Sequence, residues 1–341
     1  MLHAERACLV AVAMVAAGSA APVAAQGVAD FYKDKTIAIV MGTGPGGSFD
    51  LYGRTIAEHL SRHIPGNPTI IVEHMPGAGG VIAGNHIYGP APQDGTKVLL
   101  SHALPLSEKL EPQGVRFETA RFQWLGTYDA IAHTMALWHT AQVSKIDDLK
   151  VKPVVIGTFA KAHLTYQWPM LMKNVLGLNY KVITGYRSGN DLNLAMERGE
   201  VHGWAPSWEN LAGTRPQWLA ENKVSVLAQF TLERKRQIPN VPTLLELAPP
   251  DRKDVVEFVA AGTPFGRALA VGPQVPVDRV AALRKAFDDL MQDQAFLADA
   301  RKRNLDIDPR NAAYTHALVN KISSASPELV TRVKKAIGQE E

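Results

Sequence analysis

Cysteine is nearly missing from this sequence. One residue in 341, Cys8, excludes a disulfide framework and a cysteine-rich zinc module. Charge of one sign is missing as well. Lys and Arg number 36 against 33 Asp and Glu, and a net charge of +3 is no nucleic-acid footprint. No apolar run reaches the roughly 20 residues that a membrane-spanning helix needs, and no tandem repeat interrupts the chain. What remains is ordinary globular composition, 46% hydrophobic and 20% charged. The length suits two domains of about 100–200 residues each.

The N-terminus reads as a secretory leader. A short polar stretch with Arg6 precedes an apolar run from Ala7 to Ala17, and small residues follow from Gly18 to Ala25. Val23-Ala24-Ala25 offers the small side chains that a signal peptidase requires, so residues 1–25 are expected to be removed. Cys8 precedes the apolar run, whereas a lipidated cysteine follows it. An exported, soluble protein is expected.

Beyond the leader, β-type runs alternate with amphipathic stretches. Lys35–Met41, Thr69–Val72 and Lys97–Ser101 read as strands, with helices over Phe49–His63 and Val81–Tyr88. A second series has strands at Met135–Trp138, Val154–Gly157, Tyr180–Thr184 and Val224–Gln229, and helices at His163–Leu176 and Asn190–Arg198. Arg267–Val271 supplies another strand and Val277–Leu297 one long amphipathic helix. The alternation predicts an α/β fold with mostly parallel sheets, arranged as two lobes around a cleft.

Several motifs bear on chemistry. Gly42-Thr43-Gly44-Pro45-Gly46-Gly47 follows a strand, opens a helix and matches the dinucleotide pattern, with Glu73 at the end of the next strand. Pro45 removes a donor from that cradle, and an exported protein meets few dinucleotides, so a carboxylate fits the loop better. Pro76–Gly80 and Gly185–Asn190 repeat the strand–glycine–helix arrangement, and Arg187 can bind a carboxylate through two parallel hydrogen bonds. His102 and Thr158 lie past the carboxyl ends of strands, where open α/β sheets bind ligands. Trp204 and Trp208 flank a strand end and either line a pocket or pack in the core. Ser48 reads as a helix cap, lacking the second glycine of a nucleophile elbow. His59 and His63 read as surface residues. No catalytic constellation and no metal-ligand spacing emerges.

The order of these motifs resembles the Bug family, the extracytoplasmic solute receptors of tripartite tricarboxylate transporters. Pro45-Gly46-Gly47-Ser48-Phe49-Asp50 is similar to its PGGxxD loop, and Glu73-His74-Met75-Pro76-Gly77-Ala78-Gly79-Gly80 to a second glycine segment. Asp94-Gly95, Gly185-Tyr186-Arg187-Ser188-Gly189, Arg198-Gly199-Glu200-Val201 and Pro239-Asn240-Val241-Pro242-Thr243 follow in order. The resemblance implies a type II-like periplasmic-binding-protein architecture. Lobe one spans 27–130 plus 231–341, and lobe two spans 131–230. It implies a ligand carboxylate held by Gly44, Gly46, Gly47 and Ser48 and faced by Arg187, Ser188 and Gly189, with Asp50 orienting the loop.

The chain departs from the family pattern at Gly42-Thr43-Gly44, Gly157–Lys161, Arg187 and His202. Lys161, Arg187 and His202 make lobe two more cationic and favour a second carboxylate on the ligand. The expectation is a monomeric periplasmic receptor that needs no cofactor, binds no nucleic acid and delivers a small carboxylate to membrane permease subunits. Two alternatives stay open: a ligand-sensing partner of a membrane sensor kinase, and a secreted hydrolase using Ser48 or a histidine pair.

Overall fold

The computed structural model describes residues 23–45, 47–100, 103–161 and 163–339, with only the backbone of 23–26, 47 and 48. Positions 1–22 of the expected leader lie outside the described residues. The first helix, α1 (Val23–Tyr32), runs across the expected cleavage position after Ala25. No helix among the described residues is long and apolar enough to cross a membrane.

Strands and helices then alternate as the sequence pattern predicts: β1 (Thr36–Met41), α2 (Gly47–Leu60), β2 (Thr69–His74), α3 (Val81–Tyr88), β3 (Lys97–Leu100) and α4 (Leu104–Leu110). β4 (Gln123–Thr127) leads into the second series. That series comprises β5 (Thr134–Trp138), α5 (Asp148–Val151), β6 (Val155–Gly157), α6 (Leu164–Leu176), β7 (Lys181–Ile183), α7 (Gly189–Glu197), β8 (Gly203–Trp204), α8 (Trp208–Thr214), α9 (Pro216–Ala220) and β9 (Val224–Gln229). The chain returns through α10 (Leu244–Leu247), α11 (Lys253–Ala260), β10 (Ala268–Val271), α12 (Val277–Leu290), α13 (Gln294–Lys302), β11 (Arg310–Asn311), α14 (Ala312–Ser323) and α15 (Pro327–Ala336).

Two sheets result, one per lobe. The first has the order β11-β4-β10-β3-β1-β2 and the second β7-β6-β8-β5-β9. Both are mixed, which corrects the expectation of mostly parallel sheets. β1 pairs parallel with β2 and β3, and β6 with β7 and β8. β4, β5, β9 and β10, which flank the two passages between lobes, pair antiparallel with their neighbours. A strand that delivers the chain to the other lobe lacks the helical crossover that parallel pairing requires.

A second correction concerns the long helix. The apolar stripe Val280, Leu283, Phe287 and Leu290 is buried, but α12 stops there. Asp293 then caps α13 by accepting hydrogen bonds from the Ala295 and Phe296 amides at 2.8 and 3.2 Å. The pattern read as one helix is two.

The largest hydrophobic core is continuous between lobes. Leu99, Trp124 and Phe265 from the first join Met135, Ile156, Trp168 and Leu171 from the second, and Val333 and Ile337 close it from the C-terminal end. The Trp168 and Phe230 rings stack at 4.9 Å. Separate clusters fill the outer layer of each lobe.

Candidate functional site

Parallel strand–helix units place each helix N-terminus at the carboxyl edge of the sheet. In the first lobe the strands end in register, with Met41 opposite both His74 and Leu100. The segments that follow β1, β2 and β3 therefore meet at one edge, and each opens a helix. The first N–H groups of those helices lack intrahelical partners and favour an anion.

The two glycine loops touch. A Cβ on Gly42 would lie 2.6 Å from the Gly80 Cα, while Gly80 itself adopts φ +94°. A side chain at position 42 would drive one loop off the other. Asp50, in the first turn of α2, is buried and accepts from Arg54 Nε at 3.0 Å. Its other oxygen lies 3.1 Å from His74 Nε2, and His74 Nδ1 lies 2.9 Å from the Thr43 carbonyl oxygen. Asp50 thus faces a histidine and an arginine, and His74 carries the contact on to the loop backbone. Glu73 is bound through both oxygens by Lys97 Nζ at 2.8 Å, so it is no free ribose acid.

In the second lobe the loops after β6 and β7 are knitted together. Thr158 is fully buried, and its backbone N–H and hydroxyl both donate to the Ile183 carbonyl, at 2.8 and 3.1 Å. Gly185 N–H donates to the Phe159 carbonyl at 2.9 Å. Three helices start nearby with side-chain caps: His163 on α6, Ser188 on α7 and Ser207 on α8. The last two starts converge, because a Cβ on Gly189 would lie 3.1 Å from the Trp204 ring and 3.7 Å from Asn210 Oδ1. Trp204 is only 3% exposed and donates to Asn193 Oδ1 at 3.2 Å, so it underlies Gly189 from within the core. Trp208 is half-buried and Arg187 exposed. His202 Nδ1 accepts the Val155 N–H at 3.1 Å, which commits the ring to the sheet.

Between the lobes lies a cleft of about 850 Å³. Ala78 and Gly79 of the second glycine loop and Ser107 of α4 form one wall, Lys161 and His163 the other, and Lys334 of α15 a third. The structure thus brings together the second glycine loop, Ala103 beside the expected His102, and the cationic Lys161. Gly44, Arg187 and Trp204 do not line this cleft. Gly46 and His102 lie outside the described residues, and Gly47 and Ser48 are described as backbone at the start of α2. Sequence reasoning missed Ser107 and Lys334. Lys334 lies more than 150 residues along the chain from the walls formed by the second glycine loop, α4 and the start of α6, and no local pattern marks it.

His59 and His63 turn to different carboxylates. His59 Nε2 meets Asp299 at 2.9 Å and His63 Nε2 meets Asp293 at 2.8 Å, so the expectation of plain surface histidines is corrected to two partly buried rings held by carboxylates. At the passage between lobes, Lys235 Nζ lies 3.1 Å from Asp129, 3.1 Å from Glu209 and 3.5 Å from Asp306. Arg267, 2% exposed, meets Asp129 at 2.7 Å and Glu209 at 3.6 Å. Burial raises the Asp129 carboxyl above its ordinary value against the fields of Arg267 and Lys235. Burial also acts to raise Glu209, but the same two cations outweigh it and hold that carboxyl below the usual range. The acids here enclose protein cations, which fill the place a metal would take.

No family model matches the chain. Among curated proteins, the UPF0065 protein in the gbd 5' region of Cupriavidus necator is 26% identical over 291 residues, 82% of each chain. A TctC solute binding protein from Polaromonas superposes with a TM-score of 0.68 at 17% identity, covering 90% of this chain and 99% of that one. The periplasmic binding protein BugD superposes at 0.63 and 19%, covering 89% and 98%. MatC from Rhodopseudomonas palustris, with bound malate, does so at 0.61 and 18%, covering 89% and 99%. The chain has the two-lobed fold of the TctC and Bug periplasmic binding proteins, and the family resemblance carried by its glycine-loop motifs is borne out.

Proposed function

We propose that the protein is an extracytoplasmic solute receptor of the Bug type. It captures a small organic carboxylate between its lobes and delivers it to the membrane subunits of a tripartite tricarboxylate-type transporter. The observation that carries this reading is the interlobe cleft, where a glycine loop at a helix N-terminus faces Lys161 of the opposite lobe. Malate bound to MatC, which shares the fold, supports an acid as ligand. In this reading the protein works in the periplasm after loss of residues 1–25. Lobe one comprises 27–130 and 231–341, and lobe two 131–230.

Within that frame, Gly44, Gly46, Gly47, Ser48 and His102 present lobe one's donors. Arg187, Ser188 and Gly189 approach from lobe two as the lobes close. Thr158 and Trp204 act from beneath, holding the loops that carry those donors, and Trp208 flanks the ligand. Closure excludes water and strengthens each charged contact. The closed form is the one the permease selects.

The test is a titration of the mature protein with mono-, di- and tricarboxylates, read by tryptophan fluorescence and calorimetry. One class of acid is expected to give a saturable signal, and R187A to weaken it by about tenfold, the scale of a lost charge-assisted contact. Absence of both a saturable signal and a thermal shift across the panel overturns the receptor reading.

A further inference from the structure

The C-terminal helix α15 is anchored to both lobes. Val333 and Ile337 are fully buried in the shared core. Asn174 of α6 donates to the Ala336 carbonyl at 2.8 Å, and Arg332 meets Asp254 of α11 at 2.6 Å. Just past the helix, the Gln339 amide donates to Glu111 Oε1 at 2.6 Å, tying the chain end to α4. This fixes the last turn of α15 as a wall of the cleft, and Lys334 stands on that wall half-buried.

Arg332 of α15 is paired with Asp254, and Lys321 of α14 with Glu257. Among the described residues neither Lys334 nor Lys161 has a carboxylate within ion-pair distance. Glu111, the acid of the same cleft, is turned to Gln339. Two cations without acid partners among the described residues therefore face one cavity from different elements, and the cavity volume is near the top of the roughly 300–1,000 Å³ range of small-molecule sites. A compact monoanion placed against the glycine loop leaves that far wall without a partner.

We propose that Lys334 forms a second anionic subsite, which makes the receptor select an elongated dicarboxylate with one carboxylate at the glycine-loop end and the other at α15. The inference rests on the receptor reading and adds a specificity residue to it.

Calorimetric titration of the mature protein with straight-chain α,ω-dicarboxylates of increasing length, each beside its monocarboxylate analogue, tests it. The longer diacids are expected to bind best. K334Q is expected to cost them about tenfold in affinity while changing the monoacids less than about twofold, with K334R retaining most of the diacid affinity. Equal losses for both series, no loss for either, or monoacids bound by the wild type as tightly as diacids each overturn the subsite alone. A wild type that binds neither series but responds to a tricarboxylate overturns the subsite and leaves the receptor reading, whereas one that binds no acid of the panel overturns both.

Discussion

At the scale of single residues, the acid of the first glycine loop has a structural part. Asp50 reaches the loop backbone through His74, so removing the imidazole leaves the carboxylate with Arg54 as its named partner and frees the Thr43 carbonyl. H74A is expected to cost about 1–3 kcal/mol of stability, the penalty for a buried polar group losing its partner, measured by urea denaturation. If that loop presents the donors as proposed, ligand affinity should fall with it. The orienting role of Asp50 was legible from the family resemblance, which makes it the motif acid, together with the repulsion expected between it and an anionic ligand. Its partner was not, because His74 ends a different strand, and only the parallel register that sets Met41 opposite His74 brings the two together.

At the scale of elements, the break between α12 and α13 shows why periodicity misleads. Phe287 and Leu290 before the break and Phe296 after it are all buried. The apolar stripe therefore continues across a point where the backbone does not. Asp293 ends the run by capping, and it also binds Arg62 and His63, which follow the end of α2. Desolvation acts to raise its carboxyl, but the Arg62 and His63 contacts and the two capping amides outweigh it and hold the group well below the usual carboxylate range. A depressed carboxyl contributes stability that is present above its unfolded pKa, about 3.9, and is lost as the pH falls through its folded value. D293N keeps a good cap and removes the charge. Its melting temperature should be lowered at pH 7, by an amount that persists to about pH 5 and shrinks below about pH 4. No deficit at pH 7 would show that the cap alone matters.

At the scale of the whole molecule, two lobes and a cleft were legible because two strand–helix series were. The mixed strand order was not, nor was the continuous core, since both depend on how the chain travels between lobes. That passage is guarded by buried charges, with Glu209 from α8 meeting Lys235 and Arg267 beside Asp129. Arg267 also stacks on the Tyr52 ring at 3.8 Å. R267M should destabilise the protein by about 3–5 kcal/mol, the cost of stranding a buried acid. With one core shared by both lobes, wild type and variant alike should unfold in a single calorimetric transition. Two resolved transitions would mean that the lobes are energetically separate.

The anchoring of α15 has a consequence for how the protein comes into being. A chain that emerges N-terminus first can pair all its strands, from Thr36 to Asn311, before its last helix is available. One wall of the cleft and part of the shared core arrive only with Val333, Lys334 and Ile337. Until that helix is in place, an emerging chain would hold both sheets around a groove open on one side.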